Sequence, residues 1–412
     1  MLLGVRLTLL IGPTIAVPAP YDLTEALTGV EVTHSDSGRS GFQLTFQVGR
    51  SGPLDLADYG LLKNPLLLKP FNRVVIMVAF DVVPQVLMDG LITQVQLTPS
   101  EQPGASTLTV TGEDVSVAMD LHQRTMPHPS MAENERVLFA LMPYLGRFQI
   151  LPLVLPPALP ERVPPTQRVP VQTSTDLAYI ETLAERQGYV FFVKAGPAPH
   201  TNVAYWGPPL RGAFPPLGLF VQKALSVNMG PSTNVESINF HYNALAPTTV
   251  TGVIQDSELN VPLPVFTMPI STRPPLSLMP GLVFNQPNVR QRLLNHPTRA
   301  QYEQAVRNAA EGGDPQARYT VGLSIVQALA RAQAEVNEAS DNVVTASGSL
   351  DALQYGAILE ARGLVGLRGA GFNYDGHYYV QSVTHSIRRG EYKQNFTLKR
   401  EGTGSLTQVV RP

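Results

Sequence analysis

The chain has no cysteine, which excludes disulfides, thiolate metal sites and a cysteine nucleophile. It is also poor in charge. Asp, Glu, Lys and Arg make up 15% of its 412 residues, against roughly 25% in ordinary globular proteins, while 43% are hydrophobic. Much of the surface is therefore uncharged. Two explanations stand: extensive subunit contacts, whose centres are depleted of charge, or a neutral, proline-rich surface. The charge present nearly balances, 30 basic against 32 acidic residues, so no basic excess points to nucleic acid. Tryptophan occurs once, at Trp206, which leaves little of the usual sugar-stacking residue. No uninterrupted apolar stretch reaches the roughly 20 residues of a membrane-spanning helix. The best candidate, at the start of the chain, is broken by Gly12, Pro13, Pro18 and Pro20.

What is present is β grammar at both ends. At the start, an apolar run followed by Ala16 and Ala19 invites a secretion-signal reading. Against it, Arg6 lies inside the run and Leu7-Thr8-Leu9 alternates as a strand does. Val30 to Thr33 and Phe42 to Val48 alternate around the turn cluster at Asp36 and Gly38. Arg73 to Asp81 and Leu87 to Leu97 are rich in β-branched residues, with Asp89-Gly90 read as an interruption, and Thr107 to Thr111 adds another strand. Near the other end, Tyr379, Val383 and Ile387 share one parity, as do Tyr392, Phe396 and Leu398 beyond Arg388-Arg389-Gly390-Glu391. That is a long antiparallel hairpin with one apolar face.

Between these blocks the pattern changes. Ser130 with Glu133 reads as a capping box opening a helix through Leu145. Leu151 to Pro170 is too proline-rich for helix or central strand and reads as a spacer or extended arm. Thr175 then opens a helix whose Leu177, Ile180, Leu183 and Ala184 share a face and which Gly188 ends, before a short buried strand to Val193. Asn234 to Tyr242 and Thr248 to Gln255 read as strands of a returning β module. A proline-rich and helical insertion follows, with helices over Thr298 to Ala310 and Leu323 to Ala339, the latter marked by Ile325, Leu329, Ala332 and Val336. From Asn342 the strands resume, and the residues after Gly402 read as a loose tail.

The chemistry-bearing residues form no recognised motif. None of the eight histidines makes a ligand pair at helical spacing. His377 and His385 share a strand face by parity, but eight residues of strand separate them by roughly 26 Å, too far for one metal. Gly363 to Gly371 lacks the G-K-[ST] ending and following helix of a phosphate loop, so it reads as a turn where backbones approach closely. Adjacent Glu113 and Asp114 fit a helix start better than a catalytic carboxylate pair. We expect no catalytic residues, no cofactor and no metal. Arg388, Arg389, Lys393, Lys399 and Arg400 make the terminal hairpin basic. This is either a solvated tip that discourages edge pairing, or a ring of charge facing a channel or an acidic neighbour.

Three blocks carry a family resemblance. LMDGLITQVQL from Leu87, with STLTVTGEDVSVAMDL from Ser106, resembles the first β domain of tail-hub proteins of contractile phages. These form the late control protein D group, which is similar to the hub part of VgrG. LAYIETLAERQGYVFFV from Leu177 resembles that family's helix-then-strand segment. The stretch from Ala361 to Gly402 resembles its closing hairpin, with G-x-Y-x-V-x-S-V-x-H beginning at Gly376. The resemblance implies an α+β, mainly β fold. Two tail-tube-like antiparallel β-barrel modules (1–125; 231–260 with 341–402) would flank an α+β domain (126–230). A partly helical insertion (261–340) and a tail (403–412) complete it. It further implies a homotrimer adapting a sixfold inner tube to a threefold spike within a baseplate. A separate spike protein, an inner tube or tube-initiator protein and baseplate wedge components would be its partners. Assembly would be cytoplasmic, followed by incorporation into a phage tail or injection-system particle. The competing reading is a carbohydrate-binding or carbohydrate-cleaving β protein of the same particle. A third, a periplasmic host protein, requires removal of the first 20 residues.

Overall fold

The computed structural model describes residues 5–36, 38–48, 67–80, 83–102, 105–158, 160, 162–166, 169–212, 222–255, 261–293 and 325–406. The helix expected over Thr298 to Ala310, the last tail residues and most of the connection Leu54 to Pro70 lie outside them.

The first module contains β1 (Arg6–Gly12), β2 (Val17–Pro18), helix α1 (Tyr21–Ala26), β3 (Leu27–Ser35), β4 (Gly41–Val48), β5 (Arg73–Phe80), β6 (Val83–Thr98) and β7 (Ser106–Asp114). The start of the chain is a strand: β1 pairs with all but the last residue of β5 and buries Leu9 and Ile11. Asp89-Gly90 is not a break, because β6 runs through it. Two contacts fix this pair inside the sheet. Asp89 is ion-paired with Arg73 on the neighbouring strand, and Gly90 makes room for the Glu113 carbonyl and the Phe42 ring, which a Cβ would meet at 2.3 and 3.0 Å. Gly112 on β7 does the same, since a Cβ there would meet that ring at 2.3 Å.

Next come β8 (Met126–Pro127), α2 (Glu133–Leu141), α3 (Tyr144–Phe148), β9 (Ile150–Val154), β10 (Val171–Gln172), α4 (Asp176–Gln187), β11 (Val190–Ala195) and β12 (Asn202–Gly207). β9 lies parallel on β12 at the edge of a three-stranded sheet, the place where a strand tolerates Pro152. Thr175 caps α4 by accepting from the Ala178 amide, and Gly188 ends it at φ 63°. α2 has only half a capping box, placed two residues later than Ser130 and Glu133 suggest, because its N-cap, Ala132, has no side-chain acceptor. Glu135 reaches back to the Ala132 amide at 2.9 Å, while Ser130 turns left-handed at φ 56°. The core here joins Val137, Ile180, Leu183 and Trp206 to Leu91 and Val115 of the first module. Each such side chain removed from water contributes about 1.5–3 kcal/mol.

The rest comprises β13 (Leu225–Ser226), β14 (Ser237–Tyr242), β15 (Thr248–Gln255), β16 (Pro262–Phe266), β17 (Ser277–Pro280), α5 (Gly281–Phe284), β18 (Asn288–Leu293), α6 (Ile325–Asp341), β19 (Val344–Asp351), α7 (Ala352–Tyr355), β20 (Leu364–Arg368), β21 (Gly376–Arg388), β22 (Glu391–Arg400) and β23 (Gly402–Ser405). β15 does not join the returning module. It lies between β16 and β18 in a separate sheet, because Val250 and Ile254 pack on Ala328, Ala332 and Val336 of α6. Leu329 is 40% exposed, so the buried stripe of α6 passes through Ala328 instead. From Gly402 to Ser405 the chain is a strand where a loose tail was expected: β23 pairs with β17.

One 13-stranded sheet carries both modules, in the order β14-β19-β22-β21-β3-β4-β7-β6-β5-β1-β2, with β20 on β21 and β13 on β20. The modules meet where Ser382 to Arg388 of β21 pairs antiparallel with Ser35 to Gly29 of β3. Among the described residues this pairing path is open, and neither module closes into a barrel through it. A bulge between Val380 and Ser382 switches the faces of β21. Tyr378 and Val380 belong to the main core before it, and Val383 and Ile387 after it, while Tyr379 is buried outside that core. The single parity read from Tyr379, Val383 and Ile387 therefore does not hold, and His377 and His385 do not share a face.

Candidate assembly surfaces and buried charge

The terminal hairpin exposes only part of its basic sequence. Arg388 is exposed at the tip, opposite Glu391, and Arg389 donates to the Glu25 carbonyl at 2.5 Å. Lys393 lies 3.3 Å from Glu236 and 3.4 Å from Glu391, and both hold its pKa above the ordinary lysine value. Lys399 and Arg400 leave the surface altogether. Lys399 donates to Asp36 at 2.7 Å and lies over the Tyr379 ring. Arg400 is fully buried, donates to the carbonyls of Gly402, Asp375 and Asn373, and stacks on Tyr378. A charged ring built from all five is thus ruled out within this chain; the tip arginines and Lys393 remain. Alternation along β22 marked these positions only as polar residues in a strand. It could not show that three backbone carbonyls wait for Arg400.

A second set of charges is wholly internal. Arg211 joins Asp341 at the end of α6 to Glu401 at the end of β22, and Arg273 joins the same Asp341 to the carbonyl of Gly188. Glu401 also accepts from the amides of Leu276 and Ser277. Four separated stretches of chain meet at these carboxylates. No spacing in the sequence announces this, since every partner is non-local.

The other sequence candidates are committed to local structure. Glu113 pairs with Arg39, Asp114 caps the turn Val115–Met119 by accepting from Ser116, and Asp36 holds Lys399. His128 is buried and stacked on Tyr179, away from any pairing with exposed His122. Trp206 is buried and donates to the Ile180 carbonyl, so it offers no sugar platform. Among the described residues, no group of three potential ligands could hold a metal ion. No helix among them is long and apolar enough to cross a membrane. Gly369, at φ 90°, is where the glycine-rich run passes closest to a neighbour: a Cβ would lie 1.9 Å from the Val227 carbonyl.

His34 and His385 face each other edge to face where the modules join, with ring centroids 5.4 Å apart. Gln394 bonds Leu359 through both its amide oxygen and nitrogen, which orients its NH2 toward His385 Nδ1 at 3.2 Å. That nitrogen is therefore an acceptor and the ring is neutral. Burial pushes His385 down to about 3, and burial, His385, Arg362 and Lys194 hold His34 well below the ordinary range. Both groups bind fewer protons folded than unfolded. Stability is therefore full above about pH 6.5 and falls as the pH drops below it. Urea midpoints between pH 7.5 and 5 should show this slope, and His385→Gln should flatten it. An unchanged slope in the variant would refute the assignment.

No family model and no curated protein sequence matches the chain. Solved structures do match its fold. A tail protein from Neisseria meningitidis MC58 aligns at a TM-score of 0.60 and 10% identity, covering 97% of each chain. The 43 kDa tail protein of prophage MuSo2 from Shewanella oneidensis aligns at 0.59 and 12% identity, over 97% of this chain and 99% of that one. The fold is that of phage tail proteins. A chain of the Francisella PdpA–VgrG complex shares this tail-protein fold at 0.56 and 9% identity, over 99% of this chain and 60% of its own length.

Proposed function

We propose that the protein is a non-enzymatic structural hub in the baseplate of a contractile phage tail or injection system. In this reading it acts as a homotrimer between a sixfold inner tube and a threefold spike. The observation that carries the reading is the alignment with two tail proteins, one of them from a prophage, over 97% of the chain. Two β modules in one chain give three copies six modules, the number a sixfold-to-threefold adaptor needs. The division into residues 1–125, 126–230, 231–260 with 341–402, 261–340 and 403–412 belongs to this reading, with β15 moved into the insertion. So do a separate spike protein, an inner tube or tube-initiator protein and wedge components as partners, and cytoplasmic assembly before incorporation into the particle. The low charge content fits large subunit contacts. Many weak contacts between rings act together through effective concentration.

Light scattering across a range of concentrations, with and without the neighbouring spike protein, tests this directly. A threefold mass in either condition is the expected result. A monomer that persists with the spike present would sink the trimer.

A further inference from the structure

A cleft of about 450 Å³ opens where the first β module meets the α+β region. Its volume lies within the range of about 300–1,000 Å³ that binding pockets occupy. Phe71, Leu91, Leu121 and Phe148 line its apolar part. Two of these are held out in solvent, Phe71 at 50% exposure and Leu121 at 48%.

Phe71 is also in the left-handed region, at φ 67°, which an aromatic residue seldom adopts. Its amide donates to the Ile92 carbonyl at 2.7 Å, and the neighbouring Asn72 side chain donates to the Leu67 carbonyl at 2.8 Å. The turn is thus fixed from both sides in a conformation that presents the ring instead of burying it. Strain of this kind persists where the surrounding structure imposes it, and it concentrates at binding sites.

The charge around these apolar groups has one sign. Arg73, Arg124 and Arg147 line the cleft, with the His122 ring among them, and no aspartate or glutamate among the described residues does. Arg73 is already neutralised by Asp89. Arg124 lies 3.5 Å from Asp176, a buried carboxylate that also accepts from Tyr144. Arg147 is exposed, its guanidinium 5.2 Å from the Phe148 ring centre, and it makes no ion pair among the described residues. An uncompensated guanidinium beside exposed aromatic and aliphatic side chains complements a carboxylate next to an apolar anchor.

We propose that this cleft is a docking pocket for a segment of a partner protein in which an aromatic or aliphatic side chain is flanked by carboxylates. The apolar side chain would sit against Phe71 and Leu121, and a carboxylate would take Arg147, with His122 and Arg124 beside it. The inference does not depend on the trimer.

Calorimetric titration of the full chain with the blocked peptide acetyl-Asp-Phe-Asp-amide tests it, against acetyl-Lys-Phe-Lys-amide and acetyl-Asp-Ala-Asp-amide. The acidic aromatic peptide should bind, and both comparators should bind about tenfold more weakly or worse. Arg147→Glu and Leu121→Ser should each weaken it by about tenfold, with unchanged thermal midpoints because both side chains are exposed. Absence of binding at millimolar peptide overturns the proposal. Binding that both variants leave intact, or equal binding of the lysine peptide, does so too.

Discussion

Asp341→Ala is expected to destabilise the protein by about 3–5 kcal/mol, because it leaves two buried guanidiniums without their shared carboxylate. Arg211 and Arg273 are only 3% and 10% exposed, so water cannot take the place of Asp341. The loss should be felt first where α6 docks. Arg273 would no longer link α6 to the end of α4, and Arg211 would retain only Glu401 and the Pro274 carbonyl. Limited proteolysis, read alongside urea denaturation, checks this. Cleavage should begin near α6 at denaturant concentrations that leave the wild type intact. A midpoint within error of wild type, with the same cleavage pattern, would show that the network contributes little.

The second large effect concerns the pin between the first module and the α+β region. Arg73 forks onto Asp89 through two bonds of 2.7 Å and also donates to the His200 carbonyl at 2.9 Å. Asn202 donates to the same carboxylate at 3.2 Å. Asp89→Ala should cost about 3–5 kcal/mol by isolating a buried cation. The double replacement Arg73→Met with Asp89→Leu should recover most of that loss, since a well-packed apolar pair avoids the desolvation of both charges. Urea denaturation of the wild type, Asp89→Ala and the double variant decides between the two views of the pin. If the double variant is no more stable than Asp89→Ala, the pair is needed for its geometry and not merely to satisfy its own charge.

Local pattern made much of the fold legible. The hairpin of β21 and β22, the sheet strands near the start, and α4 with Thr175 and Gly188 at its ends follow from alternation, helical spacing and turn residues acting over a few positions. What escaped is non-local. Period two says that β15 has a buried face, but not that the face meets α6 instead of the large sheet. One inserted residue near Gln381 reverses which side of β21 is inside, and nothing in Val380-Gln381-Ser382 marks it. The same limit applies to the surfaces. Lys399 and Arg400 read as hairpin charges until Asp36, remote in sequence, and the Tyr378 ring on the neighbouring strand cover them. The cleft around Phe71 and Arg147 unites stretches that no spacing rule connects.

The pairing of β3 with β21 has a consequence for biosynthesis. Thr33 and Thr384, whose hydroxyls meet at 3.0 Å across it, are 351 residues apart. At about 5–20 residues per second, a ribosome needs roughly 20–70 s to supply the strand that covers β3. Throughout that interval the nascent first module carries an unpaired edge, the kind of surface that other chains add to. Two polysome-bound copies are therefore hazards to each other until the last hairpin emerges, and the exposed Glu31 on β3 puts a charge on that waiting edge.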